Sequence, residues 1–242
     1  MRKFGLIGKS LVHSFSADFF HDLFEKRGVK ACYENIEIQE IQEVKEILHF
    51  KKYSGLNVTI PYKESIIPFL DELTDEATQI GAVNVIQLKN GKTIGHNTDA
   101  FGFKQSIKPF LTNQHEKALI IGTGGASKAI EYVLLSIGIE CIFVSRNPAK
   151  KKHFSYSEVN EHMINACKLI INCTPTGTYP NTTEMPKIPI EFLKSTHLVI
   201  DLIYNPSESR LLKEVKQQGA MTLNGESMLK EQALKSFEIW NS

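Results

Sequence analysis

Two polar runs carry the residues best suited to chemistry. Lys63 closes the run Gly55-Leu56-Asn57-Val58-Thr59-Ile60-Pro61-Tyr62-Lys63, and Asp99 closes Gly95-His96-Asn97-Thr98-Asp99. Both precede a glycine-rich turn, Gly122-Thr123-Gly124-Gly125-Ala126-Ser127, that follows an apolar strand and opens a helix. A lysine ammonium can give a proton to a forming alkoxide and take one back from an alcohol. A carboxylate beside it holds it in place and favours its charged form, while burial works the other way. A proton-handling pair upstream of a dinucleotide-binding turn is what a hydride-transfer enzyme needs, because a carbonyl that receives hydride must also receive a proton. The same residues have plainer uses. Lysine is commonly surface charge, and Asp99 or Thr98 could simply cap the helix that begins near Phe101.

The glycine turn has its own logic. Gly122 and Gly124 let the chain turn tightly and come close to a pyrophosphate, and Thr123, Gly125 and Ala126 complete the entry into a helix that offers free N–H groups and a favourable dipole. The third fingerprint position is Ser127, small enough for close packing of helix on strand. The next strand ends Val144-Ser145-Arg146-Asn147, and no carboxylate follows until Glu158. A dinucleotide site that takes NAD places Asp or Glu there, whereas one that takes NADP places a cation for the 2′-phosphate. Arg146 can fork onto that phosphate with Ser145 and Asn147 as donors, and Lys150, Lys151 and Lys152 add positive potential. The alternative is a solvated basic loop.

Ser14 and Ser16, in His13-Ser14-Phe15-Ser16, offer two hydroxyls that can hold a carboxylate. They equally suit a turn with an N-cap at Ser16. His13 has no partner at a recognisable spacing and reads as structural. Asn57, Thr59, Asn97 and Thr98 give the two polar runs the small hydrogen-bonding side chains expected around a polyhydroxylated ligand.

Bulk properties narrow the partners. At 242 residues and 42% apolar, the chain can fill two domains with real cores. A formal net charge of +1 lacks the basic footprint of a nucleic-acid binder, so the expected partner is a small molecule. The four cysteines, Cys32, Cys141, Cys167 and Cys173, show no C-x-x-C spacing and fit a reduced cytoplasmic setting. The first apolar stretch breaks after four residues, too short for a signal-peptide core, and no run approaches the ~18 residues of a membrane helix. A soluble, unexported protein, monomer or homodimer, with no membrane partner and no metal is expected.

Strand and helix patterns alternate along the chain, which predicts an α/β protein of two domains. Strands are predicted at residues 4–7, 33–38, 56–60, 83–88 and 92–95, the last two joined at Asn90-Gly91 as a hairpin forming one antiparallel edge of a mixed sheet. Helical spacing of Phe19, Phe20, Leu23 and Phe24 ends at Gly28, and Ile41, Val44, Ile47 and Leu48 share a second helical face. A helix over residues 101–111 leads into the second domain. That domain is predicted to be a Rossmann-type unit with strands at 118–121, 141–145, 169–173 and 198–202 and a helix carrying Ile130, Val133, Leu134 and Ile137 up to Gly138. The reading is a mixed-sheet substrate domain over 1–100, a dinucleotide domain over 101–224, and a last helix over 225–242 that returns to the first domain.

Taken in order, these runs resemble the shikimate dehydrogenase family along nearly the whole chain. Its paired-serine motif is similar to His13-Ser14-Phe15-Ser16, its N-V-T-x-P-x-K motif to Asn57 through Lys63, its G-A-x-N motif to Gly81-Ala82-Val83-Asn84, and its N-T-D-x-x-G motif to Asn97 through Gly102. Asn172-Cys173-Thr174-Pro175-Thr176-Gly177, Asp201-Leu202-Ile203-Tyr204-Asn205-Pro206, and Gly225 through Met228-Leu229 to Gln232-Ala233 resemble its later signatures. The resemblance implies NADP-dependent reduction of 3-dehydroshikimate to shikimate, with Lys63 as proton donor and acceptor and Asp99 as its partner. It implies that Ser14, Ser16 and Tyr204 take the substrate carboxylate, and that Thr59, Lys63, Asn84, Asp99 and Gln232 take the ring oxygens. Thr174, Leu202 and Gly225 would lie along the nicotinamide, and Asp75 would approach the cofactor. Two departures stand out: Ala17 replaces the proline usual after the second serine, and the stretch from Arg146 to Asn172 is short for a full helix, strand and second helix. A dual quinate/shikimate dehydrogenase would share the pair, and a non-catalytic NADP-binding sensor would share the fold.

Overall fold

The structure is a computed structural model and describes residues 1–12, 14–49, 52–148 and 151–242. His13 and Lys150 lie outside the described residues. The chain divides into two compact units, Met1–Phe101 with Gln232–Ser242, and Gly102–Glu231.

The first unit contains β1 (Arg2–Gly8), α1 (Phe15–Lys26), β2 (Ala31–Glu37), α2 (Val44–His49), β3 (Gly55–Val58), β4 (Glu72–Leu73), α3 (Asp75–Ile80), β5 (Val85–Lys89), β6 (Lys92–His96) and the start of α4 (Asp99–Ile107). The strands form one sheet in the order β2-β1-β3-β5-β6-β4. β1 runs parallel to β2 and β3, β5 is antiparallel to both β3 and β6, and β6 is parallel to β4. The hairpin closes at Asn90 and Gly91, both at positive φ (53° and 79°), as a two-residue turn of this kind requires. It is not the sheet edge predicted above. β4 pairs along the far side of β6, and a strand of two residues is too short to leave a pattern in the sequence.

Helix α1 begins one residue after Ser14, whose Oγ accepts from the Ser16 N–H at 3.2 Å. The expected cap at Ser16 therefore moves to Ser14. A cap residue needs extended backbone, which Ser14 has (φ −71°, ψ 122°), whereas Ser16 is already inside the helix. The helix ends where Gly28 takes a left-handed φ of 63°. It buries Phe20, Leu23 and Phe24 against Phe4, Val85, Ala233 and Trp240. Trp240 stacks on Phe4 with centroids 4.7 Å apart, and its indole N–H donates to the Ile86 carbonyl at 3.2 Å. Its ring occupies the space that a Cβ on Gly55 would need, so that strand position must be glycine. The Arg2 guanidinium donates to the Trp240 carbonyl at 2.6 Å and to Asn241 Oδ1 at 2.5 Å, which ties β1 to residues 240–241.

The second unit contains the rest of α4, β7 (Lys117–Ile121), α5 (Gly125–Ser136), β8 (Glu140–Val144), β9 (His153–Phe154), α6 (Glu161–Ala166), β10 (Leu169–Asn172), β11 (Leu198–Asp201), α7 (Arg210–Gln217), β12 (Met221–Asn224) and the first turns of α8 (Glu226–Trp240). All six strands are parallel in the order β12-β11-β10-β7-β8-β9, a Rossmann arrangement with its switch point between β7 and β10. Strands buried on both faces read as continuous apolar runs, as Ala118 to Ile121 and Leu169 to Ile171 do. Among the described residues between Arg146 and the start of β10, the chain forms only the two-residue β9, a 3-10 turn at Tyr156–Glu158 and the six-residue α6. Helix α7, unassigned from the sequence, is capped by Ser209 and buries Leu211, Leu212 and Val215.

Candidate active site

Lys63 follows β3 in a turn fixed from beneath. The buried Tyr62 donates its hydroxyl to the carbonyls of Ile38 (2.7 Å) and Gln39 (2.9 Å), and Ile66 is fully buried. The Lys63 carbonyl accepts from Val83 N–H at 2.7 Å. This leaves the ammonium to reach Asp99, with Nζ 2.5 Å from Oδ2 and side-chain exposures of only 15% and 6%. Water screens such a pair weakly, so neither charge could lose its partner cheaply. Asp99 is not consumed as a cap. That task falls to Asn97, whose Oδ1 accepts from Ala100 N–H at 3.2 Å while its Nδ2 donates to the Ala82 carbonyl at 2.9 Å.

Around the pair, buried amides and hydroxyls form a continuous network. Asn84 Oδ1 accepts from Thr98 N–H at 2.7 Å, and its Nδ2 faces Thr98 Oγ1 (2.9 Å), Asp99 Oδ1 (3.0 Å) and Gln232 Oε1 (3.3 Å). Asn57 Nδ2 donates to the Asn84 carbonyl (3.2 Å) and to Ser236 Oγ (3.1 Å), and its Oδ1 accepts from the Tyr33 hydroxyl at 2.8 Å. Ser236 Oγ lies 3.3 Å from Thr98 Oγ1 and donates to the Gln232 carbonyl at 2.8 Å. Asn57, Asn97 and Thr98, expected beside a ligand, are thus spent on protein partners. Burial pushes the Tyr33 phenol far above its ordinary range, against a hydrogen bond from Ser16.

The structure therefore brings Lys63, Asp99, Asn84 and Gln232 into one cluster. Thr59 follows directly at the end of β3, half-buried, with its N–H donating to the Ile7 carbonyl at 2.9 Å. Ser14 accepts with its oxygen in capping α1, which leaves its hydroxyl hydrogen for another acceptor. Asp75 stands exposed as the first residue of α3, which Thr74 caps through Ala77 N–H at 3.2 Å. Sequence reasoning missed Tyr33 and Ser236. Ser236 lies one helical turn beyond Gln232, and that i, i+4 spacing is the signal that could have found it.

In the second unit, Gly122 takes φ 102°, and a Cβ there would meet Thr174 Cγ2 at 2.9 Å. Gly124 caps α5 with no side-chain hydrogen bond, and a Cβ on it would meet nothing within 4 Å. Thr123 and Gly124 are exposed, Gly125 and Ala126 form the first helical turn, and Ser127 Oγ donates to the Gly124 carbonyl at 2.7 Å. The Gly122 N–H is spent on the Val144 carbonyl at 2.8 Å, and α5 starts with no side-chain cap beside the open space over Gly124. Ser145 is buried with its Oγ unpartnered among the described residues, beside the exposed Arg146 and Asn147. Arg146, Tyr156, Thr176 and Arg210 line a pocket of about 730 Å³. An orphaned hydroxyl, the exposed Arg146 and a helix start with no side-chain cap fit a dinucleotide that carries a phosphate on its adenine ribose, whereas Arg210 is held by the Thr183 carbonyl and Glu214. Lys152 does not contribute there. It pairs with Glu140 at 2.7 Å, and Glu140 starts the strand whose far end leads to Arg146.

Thr174 and Leu202 follow the ends of adjacent strands whose last residues, Asn172 and Asp201, pair in register. Asn172 Oδ1 accepts from the Thr174 hydroxyl (2.7 Å) and N–H (3.0 Å), while its Nδ2 donates to Asp201 Oδ1 at 3.0 Å. Asp201 also accepts from Ser209 Oγ (2.5 Å) and Ile203 N–H (3.1 Å). Burial pushes its carboxyl up to about 6 despite those hydrogen bonds. Gly225 packs so tightly on the Leu202 carbonyl that no side chain fits, and Tyr204 is half-buried just beyond Leu202.

Residues 6–86 match the family described as the shikimate dehydrogenase substrate binding domain. A Clostridium botulinum protein named shikimate dehydrogenase (NADP(+)) is 38% identical over 246 residues, covering 98% of this chain and 95% of its own. The crystal structure of shikimate dehydrogenase 1 from Peptoclostridium difficile aligns with a TM-score of 0.90 at 37% identity, covering 100% of this chain and 92% of that one. The Thermus thermophilus shikimate 5-dehydrogenase structure in complex with NADP(H) and shikimate aligns with a TM-score of 0.86 at 28% identity, covering 99% and 93%. A part-buried lysine paired with a buried aspartate beside a mixed sheet, a glycine turn on a Rossmann sheet and likeness across both units converge, and the chain belongs to the shikimate dehydrogenase family.

Proposed function

We propose that this protein reduces 3-dehydroshikimate to shikimate with NADPH, reversibly. The observation that carries the reading is the Lys63–Asp99 pair, 2.5 Å apart and shielded from water, in a chain of this family. The first unit is read as the substrate domain and the second as the cofactor domain. Ser14, Ser16 and Tyr204 hold the carboxylate, and Thr59, Asn84 and Gln232 hold the ring hydroxyls. When bound, NADPH supplies the hydride that the carbonyl carbon accepts. Lys63 gives a proton to the carbonyl oxygen as it becomes a hydroxyl, and takes it back in the oxidation. Asp99 keeps the ammonium in place through both directions.

On the cofactor side, the turn from Gly122 through Ala126 binds the pyrophosphate, Gly122 by letting the chain approach and the residues after it by their amides, because the Gly122 N–H is already spent on the Val144 carbonyl; Arg146 with Ser145 and Asn147 binds the 2′-phosphate. Thr174, Leu202 and Gly225 border the nicotinamide, and Asp75 is assigned to the cofactor's edge. All four cysteines are free thiols, which supports a reducing cytoplasmic setting. Rates of NADPH or NADH formation with shikimate and with quinate test the reading directly. Shikimate with NADP should be the fastest combination, and no NADPH from shikimate would overturn it.

A further inference from the structure

The hydrogen-bond directions around the reacting pair can be followed atom by atom. Asn84 Oδ1 accepts from Thr98 N–H, so the amide is fixed with Nδ2 toward Thr98 Oγ1 and Asp99 Oδ1. Because Thr98 Oγ1 accepts from Asn84, its own hydrogen must go elsewhere, and Ser236 Oγ at 3.3 Å is the acceptor. Ser236 sends its single hydrogen to the Gln232 carbonyl, which leaves both lone pairs for Thr98 and for Asn57 Nδ2. Asn57 is in turn oriented by the Tyr33 hydroxyl. Ser236 is fully buried, Thr98 is 1% exposed and Asn84 2%, so water cannot stand in for a missing member.

We propose that Ser236 is a positioning residue for the reaction: as the common acceptor for Thr98 and Asn57, it sets the direction of the Thr98 hydroxyl, thereby the Asn84 amide, and thereby the Asp99 carboxylate that holds Lys63. This rests on the function proposed above. Without the Ser236 oxygen, one Asn57 N–H and the Thr98 O–H lose their acceptor. The Thr98 hydroxyl then turns toward Asn84 Oδ1, and the donor on Asp99 Oδ1 is no longer held. A shift of the ammonium by a fraction of an ångström lowers the chemical step more than it lowers binding.

The test compares wild type with Ser236→Ala, Thr98→Val and the double variant in steady-state oxidation of shikimate, with thermal unfolding of each. Ser236→Ala should lower kcat by about tenfold and change KM for shikimate by less than about twofold. The double variant should lose no more than the worse single variant, because both break the same link. A purely structural serine would lower Tm and leave kcat untouched. That result, or losses in kcat that multiply in the double variant, overturns the proposal. If Ser236→Ala does not fold, Ser236→Cys replaces it, since a thiol keeps the side chain but is a weak acceptor, and the same kcat loss is expected. Wild-type protein inactive on shikimate overturns the function reading together with this one, whereas active wild type and unimpaired Ser236→Ala overturn only this one.

Discussion

Asn84 and Asp99 meet through a single hydrogen bond, Nδ2 to Oδ1 at 3.0 Å, which leaves Oδ2 to the Lys63 ammonium at 2.5 Å. Each carboxylate oxygen thus has its own donor, and only one of those donors is charged. A second cation on Oδ1 would compete with Lys63 for the same negative charge, whereas an amide fixes the carboxylate without weakening its hold on the ammonium.

Removing the ammonium should strike turnover before binding. Lys63→Ala is expected to lower kcat by roughly 10² to 10⁴ with little change in KM, the mark of a lost proton-transfer group. Initial rates over a range of shikimate concentrations check this, and wild-type turnover would take Lys63 out of the chemistry.

Reversing the charge beside Ser145 should change cofactor choice. Arg146→Asp replaces a phosphate-binding fork with a repulsive carboxylate, so KM for NADP should rise far more than KM for NAD. Equal losses for both cofactors would show that Arg146 does not read the 2′-phosphate.

Asp201 gives a pH signature of definite sign. Its carboxyl is raised to about 6 in the fold, above its ordinary value, so between those two values the unfolded chain is ionised and the folded one is not. Folding is therefore opposed at neutral pH by on the order of 3 kcal/mol, and that opposition fades as pH falls through about 6 toward about 4. Relative to Asp201→Asn, wild type should gain stability on acidification from pH 7 to pH 4, measured by urea unfolding at each pH. Burial lowers His115 and His197, which pull the other way, but they are common to both proteins and cancel in the difference. A wild type that loses ground on acidification would contradict the raised carboxyl.

Trp240 should matter to stability out of proportion to its distance along the chain from the reacting pair. It is 5% exposed, stacked on Phe4 and hydrogen-bonded to Ile86. Trp240→Ala should destabilise the first unit by about 3–5 kcal/mol, read as a lower denaturant midpoint with unchanged slope. A loss under about 1 kcal/mol would mean that the aromatic cluster closes over the gap.

What could be read from the residues was whatever a short stretch encodes by itself. The Asn90-Gly91 turn, the left-handed Gly28 and the glycine turn after Ile121 each carry their reason within a few positions. Lys63 and Asp99 were legible because each ends a strand-to-loop run of recognisable type. Ser236 was not, since its partner Asn57 lies 179 positions away and a serine in an amphipathic helix looks like any other. The N-cap slipped from Ser16 to Ser14 because both serines satisfy the local rule, and burial of Phe20, Leu23 and Phe24 decides between them. β4 and β9 escaped because two residues cannot show an alternation, and Lys152 was miscounted because only the fold reveals Glu140 beside it.

The clasp between Arg2 and residues 240–241 has a consequence for biosynthesis on the ribosome. Translation delivers residues 1–101 early, then the entire stretch from 102 to 231, and only afterwards the segment that fills the space over Gly55. A nascent chain stalled before residue 232 carries the lysine and the aspartate but none of Gln232, Ser236 or Trp240, so the network around the pair and the aromatic cluster over β1 stay incomplete until the last residues are made.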